Sequence, residues 1–355
     1  MKNLLFNSIM VKKIESLYGL AFPEFKALMK KKGETEYRAI QLFSWIYKKN
    51  VSDVGSMYTL PNALKEKLIS SFVFSPLTQR SVCISKDGTI KWAFCLQDNN
   101  VIETVYIPGE GKNTLCLSTQ SGCALYCKFC ATARMGFRKN LDVSEIVGQV
   151  MFVIKEIKRD SINHIVFMGM GEPLLNVKAL LKTIDILTHK EGLNFSRRRI
   201  TVSTAGYVPG IRVLKGASQV NLAVSLNASC DEKRSFIMNI NKKYPLNVLF
   251  ESLDDYYTDK RRRITFEYVL LPGFNMGEED VQGLARLLNS IPSKVNLIPF
   301  NIFPGSAFRS PTEVEVNAFA DRVYNLGVSV QVRRPRGSDA LAACGQLGAS
   351  HFAYE

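Results

Sequence analysis

The segment Cys123-Ala124-Leu125-Tyr126-Cys127-Lys128-Phe129-Cys130 decides the fold, because it places three cysteines at the spacing C-x3-C-x2-C. Thiolates are soft ligands for iron–sulfur clusters, and this spacing lets one loop contact three corners of a single cluster. Three ligands leave the fourth iron open to a substrate. Zinc is one alternative, but it needs a fourth ligand such as a distant cysteine, because none of the three His residues lies beside the loop. Thiols without a metal are the other alternative.

Strand-like and helix-like runs alternate on both sides of this loop. The predicted strands are Thr114–Ser118, His164–Met168, Arg199–Ser203, Val220–Ser225, Ile264–Leu270, Val295–Pro299 and Val328–Val332. Helical patterns separate most of them, which indicates parallel βα units. About six units are too few for a closed eight-fold barrel, so the predicted fold class is α/β, with an open, partial (βα)6 barrel. Functional groups in such barrels lie at the carboxyl ends of the strands.

The remaining sequence predicts smaller parts around the barrel. Helical patterns such as Glu36–Tyr47 lie near the N-terminus, and Lys91–Leu96 with Val101–Tyr106 forms a plausible β-hairpin. The predicted division is an N-terminal helical accessory domain over residues 1–75, a β-hairpin extension over 76–108, the barrel over 109–340 and a C-terminal segment over 341–355.

The composition of the chain and its N-terminal sequence indicate the kind of partner and the cellular compartment. The chain has 46 Lys and Arg against 32 Asp and Glu, a net charge of +14, which favours a polyanionic partner over an unengaged basic surface. Four basic runs could hold phosphates: Lys30–Lys32, Arg197–Arg199, Lys260–Arg263 and Arg333–Arg334. The N-terminus has no signal-peptide core, and no run is apolar for long enough to span a membrane. We therefore expect a cytoplasmic protein, whose clustered thiols bind metal or do redox chemistry.

Glycine or small polar residues stand at the carboxyl ends of four predicted strands. They are Gly171 and Glu172 in the run Gly169–Pro173, then Ser203, the triplet Ser225-Leu226-Asn227, and Asn301. Glycine permits close backbone approach to a ligand, and a carboxylate can face a cationic amino group. An ordinary turn or helix cap is the alternative for each residue taken singly.

Two further cysteines narrow the interpretation. Cys116 lies seven residues before Cys123, and Cys344 lies in the C-terminal run Ala342-Ala343-Cys344-Gly345-Gln346-Leu347. Together with the cysteine loop, the run Tyr37–Tyr47 and the run Glu103–Pro108, they resemble the RlmN/Cfr family of radical S-adenosylmethionine (SAM) RNA adenine methyltransferases. The resemblance covers nearly the whole chain. Cys83, Cys95 and Cys230 have no place in it, and we expect them to be small buried hydrophobic residues.

The resemblance implies the cofactors and the site. Cys123, Cys127 and Cys130 would hold one [4Fe-4S] cluster, and two SAM molecules would be used per turnover. The implied SAM contacts are Gly171, Glu172, Ser203, Ser225, Leu226, Asn227 and Asn301; the implied catalytic residues are Glu103, Cys116 and Cys344. Asn227 departs from the family, where many members have His.

The resemblance also implies a reaction. Cys344 takes a methyl group from one SAM, and a radical derived from a second SAM removes hydrogen from that methyl group. The resulting methylene adds to the electron-poor adenine C2, and Glu103 takes the C2 proton. Cys116 then attacks Cys344, forming a disulfide and releasing the methylated base.

Substrates and partners follow from the same resemblance. The expected substrates are an adenine at the peptidyl-transferase centre of 23S rRNA and the adenine 3′ of the anticodon in tRNA, each unpaired or flipped out. A flavodoxin or ferredoxin would supply electrons to a monomer. Pro173 favours methylation at C2. Two alternatives stay open: a Cfr-like C8 methyltransferase, and a metal-stabilised RNA-binding protein without catalysis.

Overall fold

The computed structural model describes residues 15–254, 256–257 and 262–351. Three predicted features lie partly outside the described residues: residues 1–14 of the N-terminal domain, Lys260 and Arg261 of one basic run, and residues 352–355 of the C-terminal segment. Among the described residues, no helix has the length and apolar content needed to span a membrane.

One ten-stranded sheet organises the fold, and two strand pairs stand apart from it. The strands are β1 Glu15–Ser16, β2 Phe72–Val73, β3 Leu77–Ile84, β4 Ile90–Leu96, β5 Val101–Ile107, β6 Thr114–Cys116, β7 Gln120–Gly122, β8 Phe137–Asn140, β9 His164–Phe167, β10 Ile200–Thr204, β11 Asn221–Ser225, β12 Ile264–Leu270, β13 Ser293–Pro299 and β14 Val330–Val332. The order in the large sheet is β14-β13-β12-β11-β10-β9-β6-β5-β4-β3. The strand pairs are β1 with β2 and β7 with β8.

Seven neighbouring strands of this sheet, from β6 to β14, are parallel, which confirms the predicted βα series.

The helices are α1 Phe22–Lys31, α2 Glu36–Phe43, α3 Asn62–Ile69, α4 Ala131–Arg134, α5 Val143–Ile157, α6 Val177–Thr188, α7 Val208–Ala217, α8 Asp231–Ile237, α9 Leu246–Leu253, α10 Glu278–Leu288 and α11 Glu313–Asn325. Helix α5 shows why these segments form: Asp142 and Glu145 make a capping box at its start, and its apolar residues are buried. The polar carboxyl ends of the parallel strands meet at one cavity, so the open sheet curves into a partial barrel.

The antiparallel strands β3, β4 and β5 extend the sheet beyond β6. The predicted hairpin is confirmed by the pairing of β4 with β5. The predicted burial of Cys83 and Cys230 is wrong, because both are exposed, and Cys95 is only half-buried. Cys83 lies on the edge strand β3, whose residues after Leu77 are all exposed, and Cys230 lies at the N-cap of α8.

Aromatic side chains attach the N-terminal helices to the barrel. Phe22 and Phe43 both pack against the ring of His189, which follows α6. Glu24 forms an ion pair with Lys182 on α6 at 2.6 Å. The predicted helix over Glu36–Tyr47 begins at Glu36, but its last turn widens into a π-helix over Ser44–Lys48. The predicted domain boundaries remain predictions.

Candidate active site

The three loop cysteines line one cavity at the carboxyl ends of the strands. Cys123 follows β7, and Cys130 is the N-cap of α4. All three are free thiols, and Cys123 and Cys127 are buried. Within the described part of the chain, no three or more His, Cys, Asp or Glu side chains come close enough together to hold a single metal ion. The loop instead presents three thiols to a shared space.

Burial and mutual proximity act on these thiols. Burial raises the pKa of Cys127 well above its ordinary value, and Cys130 and Cys123 raise this pKa further, while Arg234 lowers it. Burial likewise raises the pKa of Cys123, to about 12. Deprotonating the three thiols together therefore requires positive charge inside the cavity, which iron ions supply.

Arg234 on α8 lies behind this loop and is 0% exposed. Its guanidinium donates to the carbonyls of Ala205, Ser225 and Leu226 and to Oδ1 of Asn241, at 2.6–3.1 Å. No carboxylate among the described residues forms an ion pair with it. The side chain thus joins the ends of β10 and β11 and leaves its positive charge near Cys127.

The segment Gly169–Pro173 makes a tight turn after β9. A Cβ atom on Gly169 would lie 2.6 Å from the backbone carbonyl of Leu117, so only glycine fits there. Gly171 has a φ of +97°, a conformation that favours glycine. These positions bring the backbone of the turn against the strand that carries Cys116.

The Glu172 carboxylate faces the cavity, where its oxygens accept hydrogen bonds from the backbone N–H groups of Leu174 at 3.1 Å and Ala205 at 2.8 Å. Burial raises the pKa of Glu172 to about 7. A cationic or hydrogen-bond-donating ligand group beside it would favour the carboxylate form.

Replacing Gly169 by alanine is expected to destabilise the protein by about 2–4 kcal/mol, because the added methyl group would press on backbone that cannot rotate away. Gly216, near the end of α7, is the matched control: a Cβ atom added there would meet no neighbouring segment within 4 Å. Its replacement by alanine should stabilise the helix by about 0.5–1 kcal/mol. Urea denaturation of both variants checks the pair, and equal shifts would contradict the tight turn.

Most of the other predicted contact residues line the same cavity. Ser203 lies in it and donates to Glu267 Oε2 at 2.9 Å, and Ser225 lies beside Glu267 in register. Asn227 also lines it, with a φ of +60°, and its Oδ1 accepts from the Val269 N–H at 2.9 Å. Leu226 is buried and does not line the cavity; it contributes its carbonyl to Arg234.

The C-terminal segment carries Cys344 to the rim of this cavity. Asn301 Nδ2 donates to the Cys344 carbonyl at 3.0 Å. Ala131 directly follows the segment Cys123–Cys130, here called the cluster loop, and its N–H donates to the Gly345 carbonyl at 2.8 Å. Cys344 therefore lies close to Cys130 on one side and to Cys116 on the other, and it contributes to the raised pKa of both.

Arg333, which follows β14, and Glu267 of β12 were not recognised as site residues in the sequence. Arg333 contacts Glu267 Oε1 at 3.5 Å. The nearby Cys344 thiol raises the pKa of Arg333, with smaller contributions from Glu267 and Cys116. A permanent cation therefore lies beside both thiols. In the sequence, Arg333 was recognisable only as part of the short basic run Arg333–Arg334.

Glu103 lies outside this cavity. It is 2% exposed on β5, and its carboxylate contacts Lys91 Nζ at 3.3 Å. The Gly348 N–H donates to Oε2 at 2.8 Å, and Ser350 Oγ donates to Oε1 at 3.1 Å. In this conformation Glu103 holds the C-terminal segment rather than facing Cys344.

Comparisons with known proteins agree with this geometry. Residues 117–288 match the radical SAM superfamily, and residues 15–73 match the N-terminal domain of ribosomal RNA large subunit methyltransferases. A dual-specificity RNA methyltransferase RlmN from Geobacter sulfurreducens is 45% identical over 329 residues, covering 93% of this chain and 91% of the relative. The RlmN of Syntrophobacter fumaroxidans is 44% identical over 330 residues, covering 93% of this chain and 96% of that one. The chain belongs to the RlmN family of radical SAM methyltransferases.

A solved structure supports the same assignment. A radical SAM methyltransferase from Sphaerobacter thermophilus superposes with a TM-score of 0.90 at 40% identity, covering 94% of this chain and 99% of that one. Membership in the RlmN family implies a [4Fe-4S] cluster and SAM. The residues present fit both groups, because three free thiols, a buried carboxylate and small polar side chains surround one cavity. The predicted enzyme class and fold are confirmed.

Proposed function

We propose that this enzyme methylates C2 of adenine in 23S rRNA and in tRNA, with Cys344 as the carrier of the methyl group. The observation that carries the proposal is that Cys344 lines one cavity together with the three loop cysteines and a second cavity together with Cys116. A methyl group on its sulfur would face the cavity in which a radical is generated. The relatives, which are dual-specificity RNA methyltransferases, support RNA as the substrate.

We assign the cluster to Cys123, Cys127 and Cys130, and the SAM contacts to the cavity residues Gly171, Glu172, Ser203, Ser225, Asn227 and Asn301, with Leu226 supporting them through its backbone. When bound, the cluster and SAM supply an electron and a 5′-deoxyadenosyl radical. Two SAM molecules are used per turnover, because one donates the methyl group and another is cleaved. Glu172, whose carboxylate lines the cavity, would hold the cationic amino group of SAM.

The chain's own residues then act in sequence. The Cys344 thiolate, beside the Arg333 guanidinium, attacks the methyl carbon of SAM, so that S-methylcysteine forms and S-adenosylhomocysteine leaves. The Cys344 methyl group would lose a hydrogen atom to the 5′-deoxyadenosyl radical, giving 5′-deoxyadenosine, and the remaining methylene would bond to adenine C2. After the adduct has returned one electron to the oxidised cluster and lost the C2 proton to a base, Cys116 attacks the Cys344 sulfur. The carbon–sulfur bond breaks, a Cys116–Cys344 disulfide forms, and the base carbon gains a proton to complete the methyl group.

We propose Glu103 as the base that takes the C2 proton. Its carboxylate is bound to Gly348 and Ser350 in this structure, so this role requires the C-terminal segment to release it. Glu103 lies on β5, which pairs with β6. On β5 it is two residues before Val105, the residue that pairs with Cys116.

Replacing Glu103 by glutamine is expected to lower the rate of RNA methylation by about 10²–10⁴-fold, because the amide has nearly the same size and shape but cannot take a proton. The covalent adduct between Cys344 and RNA should accumulate, which denaturing gel electrophoresis detects. The control is Glu110→Gln, on an exposed loop residue nearby. Normal turnover by the Glu103 variant, with unchanged thermal stability, would remove Glu103 from the mechanism.

RNA and an electron donor are the proposed partners. The net charge of +14 supports contact with phosphates. The exposed Tyr126 of the cysteine loop lines one cavity with Lys128 and with Arg134 of α4, a combination of an aromatic ring and cations that suits single-stranded RNA. A flavodoxin or ferredoxin would supply electrons to a monomeric enzyme in the cytoplasm.

Nucleoside mass spectrometry tests the site of methylation. Unmodified 23S rRNA and tRNA treated with the reconstituted enzyme, SAM and a reductant should yield 2-methyladenosine. A product containing only 8-methyladenosine would support the C8 alternative. Absence of any methylated adenosine from an enzyme that has its cluster would support RNA binding without catalysis.

A further inference from the structure

A second cavity, here called the lower cavity, lies inside the barrel on the side of the amino ends of the strands. Thr114, His164, Asn221 and Lys294 line it, and each lies at or next to the start of a parallel strand. At its inner end it reaches Cys116 and Cys344. Cys344 lines both cavities, whereas Cys116 lines only the lower one. The lower cavity therefore gives access to both thiols from the side away from the cluster loop.

The lower cavity is strongly basic. Its Lys and Arg residues are Lys112, Arg198, Arg262, Arg263, Lys294, Arg333, Arg334 and Arg336, and no Asp or Glu lines it in the described part of the chain. Some of these cations have partners elsewhere: Arg334 pairs with Glu313, and Arg336 with Asp87. Lys112, Arg198, Arg263 and Lys294 form no ion pair with any described residue. The cavity thus presents uncompensated positive charge.

Two further observations indicate that a ligand belongs there. Burial lowers the pKa of Lys112, and the positive charges of Arg333 and Lys294 lower it further, so these cations repel one another without an anion between them. The buried Oδ1 of Asn296, on the inner surface of β13, has no hydrogen-bond donor among the described residues. Leaving such an atom unpaired is unfavourable, so a ligand that carries both anionic groups and N–H or S–H donors would satisfy the site.

We propose that the lower cavity binds a small thiol that carries carboxylates, and that this thiol reduces the Cys116–Cys344 disulfide between turnovers. The inference rests on the proposed function, which leaves this disulfide after each methyl transfer. A nucleotide or inorganic phosphate matches the charge equally well, but only a thiol makes use of the opening onto both cysteines. Because the thiol would enter through the lower cavity, the cavity lined by the three loop cysteines would stay free for SAM and RNA.

The exchange balances with two thiols. The first thiolate attacks the Cys116 sulfur, the disulfide bond breaks, and Cys344 leaves as a thiolate beside Arg333. A second thiolate attacks the ligand sulfur of the mixed disulfide and releases Cys116, which takes a proton. Two ligand thiols are oxidised to one external disulfide, and the enzyme disulfide gains two electrons. Cys344 is then in the form that accepts the next methyl group.

The test uses the cluster-loaded enzyme after a single turnover without added thiol. Differential alkylation and mass spectrometry first establish that the Cys116–Cys344 disulfide has formed, and its reduction is then followed with glutathione, which is anionic, and with 2-mercaptoethanol, which is neutral. The variant is Lys112→Gln with Lys294→Gln. The control, Lys155→Gln with Lys178→Gln, removes the same charge from exposed positions on α5 and α6.

The cavity variant is expected to slow reduction by glutathione about tenfold, since two favourable charge interactions are lost, and to change reduction by 2-mercaptoethanol by less than about twofold. Glutathione reduction should also slow as salt increases. Equal effects on the two thiols, or equal effects of the cavity and control variants, would overturn the inference.

A binding measurement separates this inference from the proposed function. S-methylglutathione cannot react, and equilibrium dialysis should show that it binds the resting enzyme and that the cavity variant binds about tenfold more weakly. Failure to bind would overturn the inference even where methylation proceeds normally. Absence of the disulfide after turnover would instead contradict the proposed function, whatever S-methylglutathione does.

Discussion

Replacing Cys344 by alanine is expected to reduce RNA methylation by more than about 10³-fold, a loss typical of removing an essential nucleophile. Alanine has no sulfur to carry the methyl group. No other described thiol lines both the cavity of the three loop cysteines and the lower cavity. The iron content of the reconstituted variant should stay unchanged, because Cys344 is not a cluster ligand in this proposal. Methylated adenosine released per enzyme is the measurement.

Cys83→Ala is the matched control, because it removes a thiol from an exposed position on β3. It should methylate RNA at the wild-type rate. A Cys344 variant with normal activity would contradict the two-cysteine mechanism while leaving the cluster assignment intact. A variant that had lost its iron would show instead that the C-terminal segment stabilises the cluster loop.

Replacing Arg234 by methionine is expected to lower the free energy of unfolding by about 3–5 kcal/mol. Methionine fills much of the volume but leaves the buried carbonyls of Ala205, Ser225 and Leu226 without a donor, and each unsatisfied group costs about 1–3 kcal/mol. Removal of the buried positive charge relieves part of this penalty, because an isolated buried cation is itself unfavourable. Urea denaturation of the cluster-free protein measures the difference.

Arg212→Met is the control, since Arg212 is an exposed residue on α7. It should change the free energy of unfolding by less than about 0.5 kcal/mol. We also expect the Arg234 variant to hold iron less well, because the positive charge that lowers the pKa of Cys127 is gone. Equal stability of the two variants would show that the strand ends do not depend on the guanidinium.

Local sequence patterns predicted the parts of the structure that depend on neighbouring residues. The seven parallel strands follow from apolar runs between helical patterns, and the cysteine spacing predicts the loop to which we assign the cluster. Gly169 and Gly171 were recognisable because a tight turn at a strand end needs residues without a Cβ atom.

Contacts between distant segments could not be predicted in this way. Arg234 lies in the charged run Asp231-Glu232-Lys233-Arg234, which reads as an exposed helix face, yet folding turns that one side chain inward under the strand ends. Arg333 acquires its role only when β14 meets β12 and the C-terminal segment brings Cys344 beside it. The attachment of Glu103 to Gly348 likewise joins residues far apart in the chain.

The fate of the methyl hydrogens tests the central claim most directly, that Cys344 carries the methyl group and delivers it as a methylene. The enzyme, first stripped of any methyl group on Cys344, is supplied with SAM whose transferable methyl group carries three deuterium atoms. Mass spectrometry should find two deuterium atoms in the new methyl group of 2-methyladenosine and the third in 5′-deoxyadenosine. A product methyl group that retains all three deuterium atoms would mean direct transfer from SAM and would contradict the account.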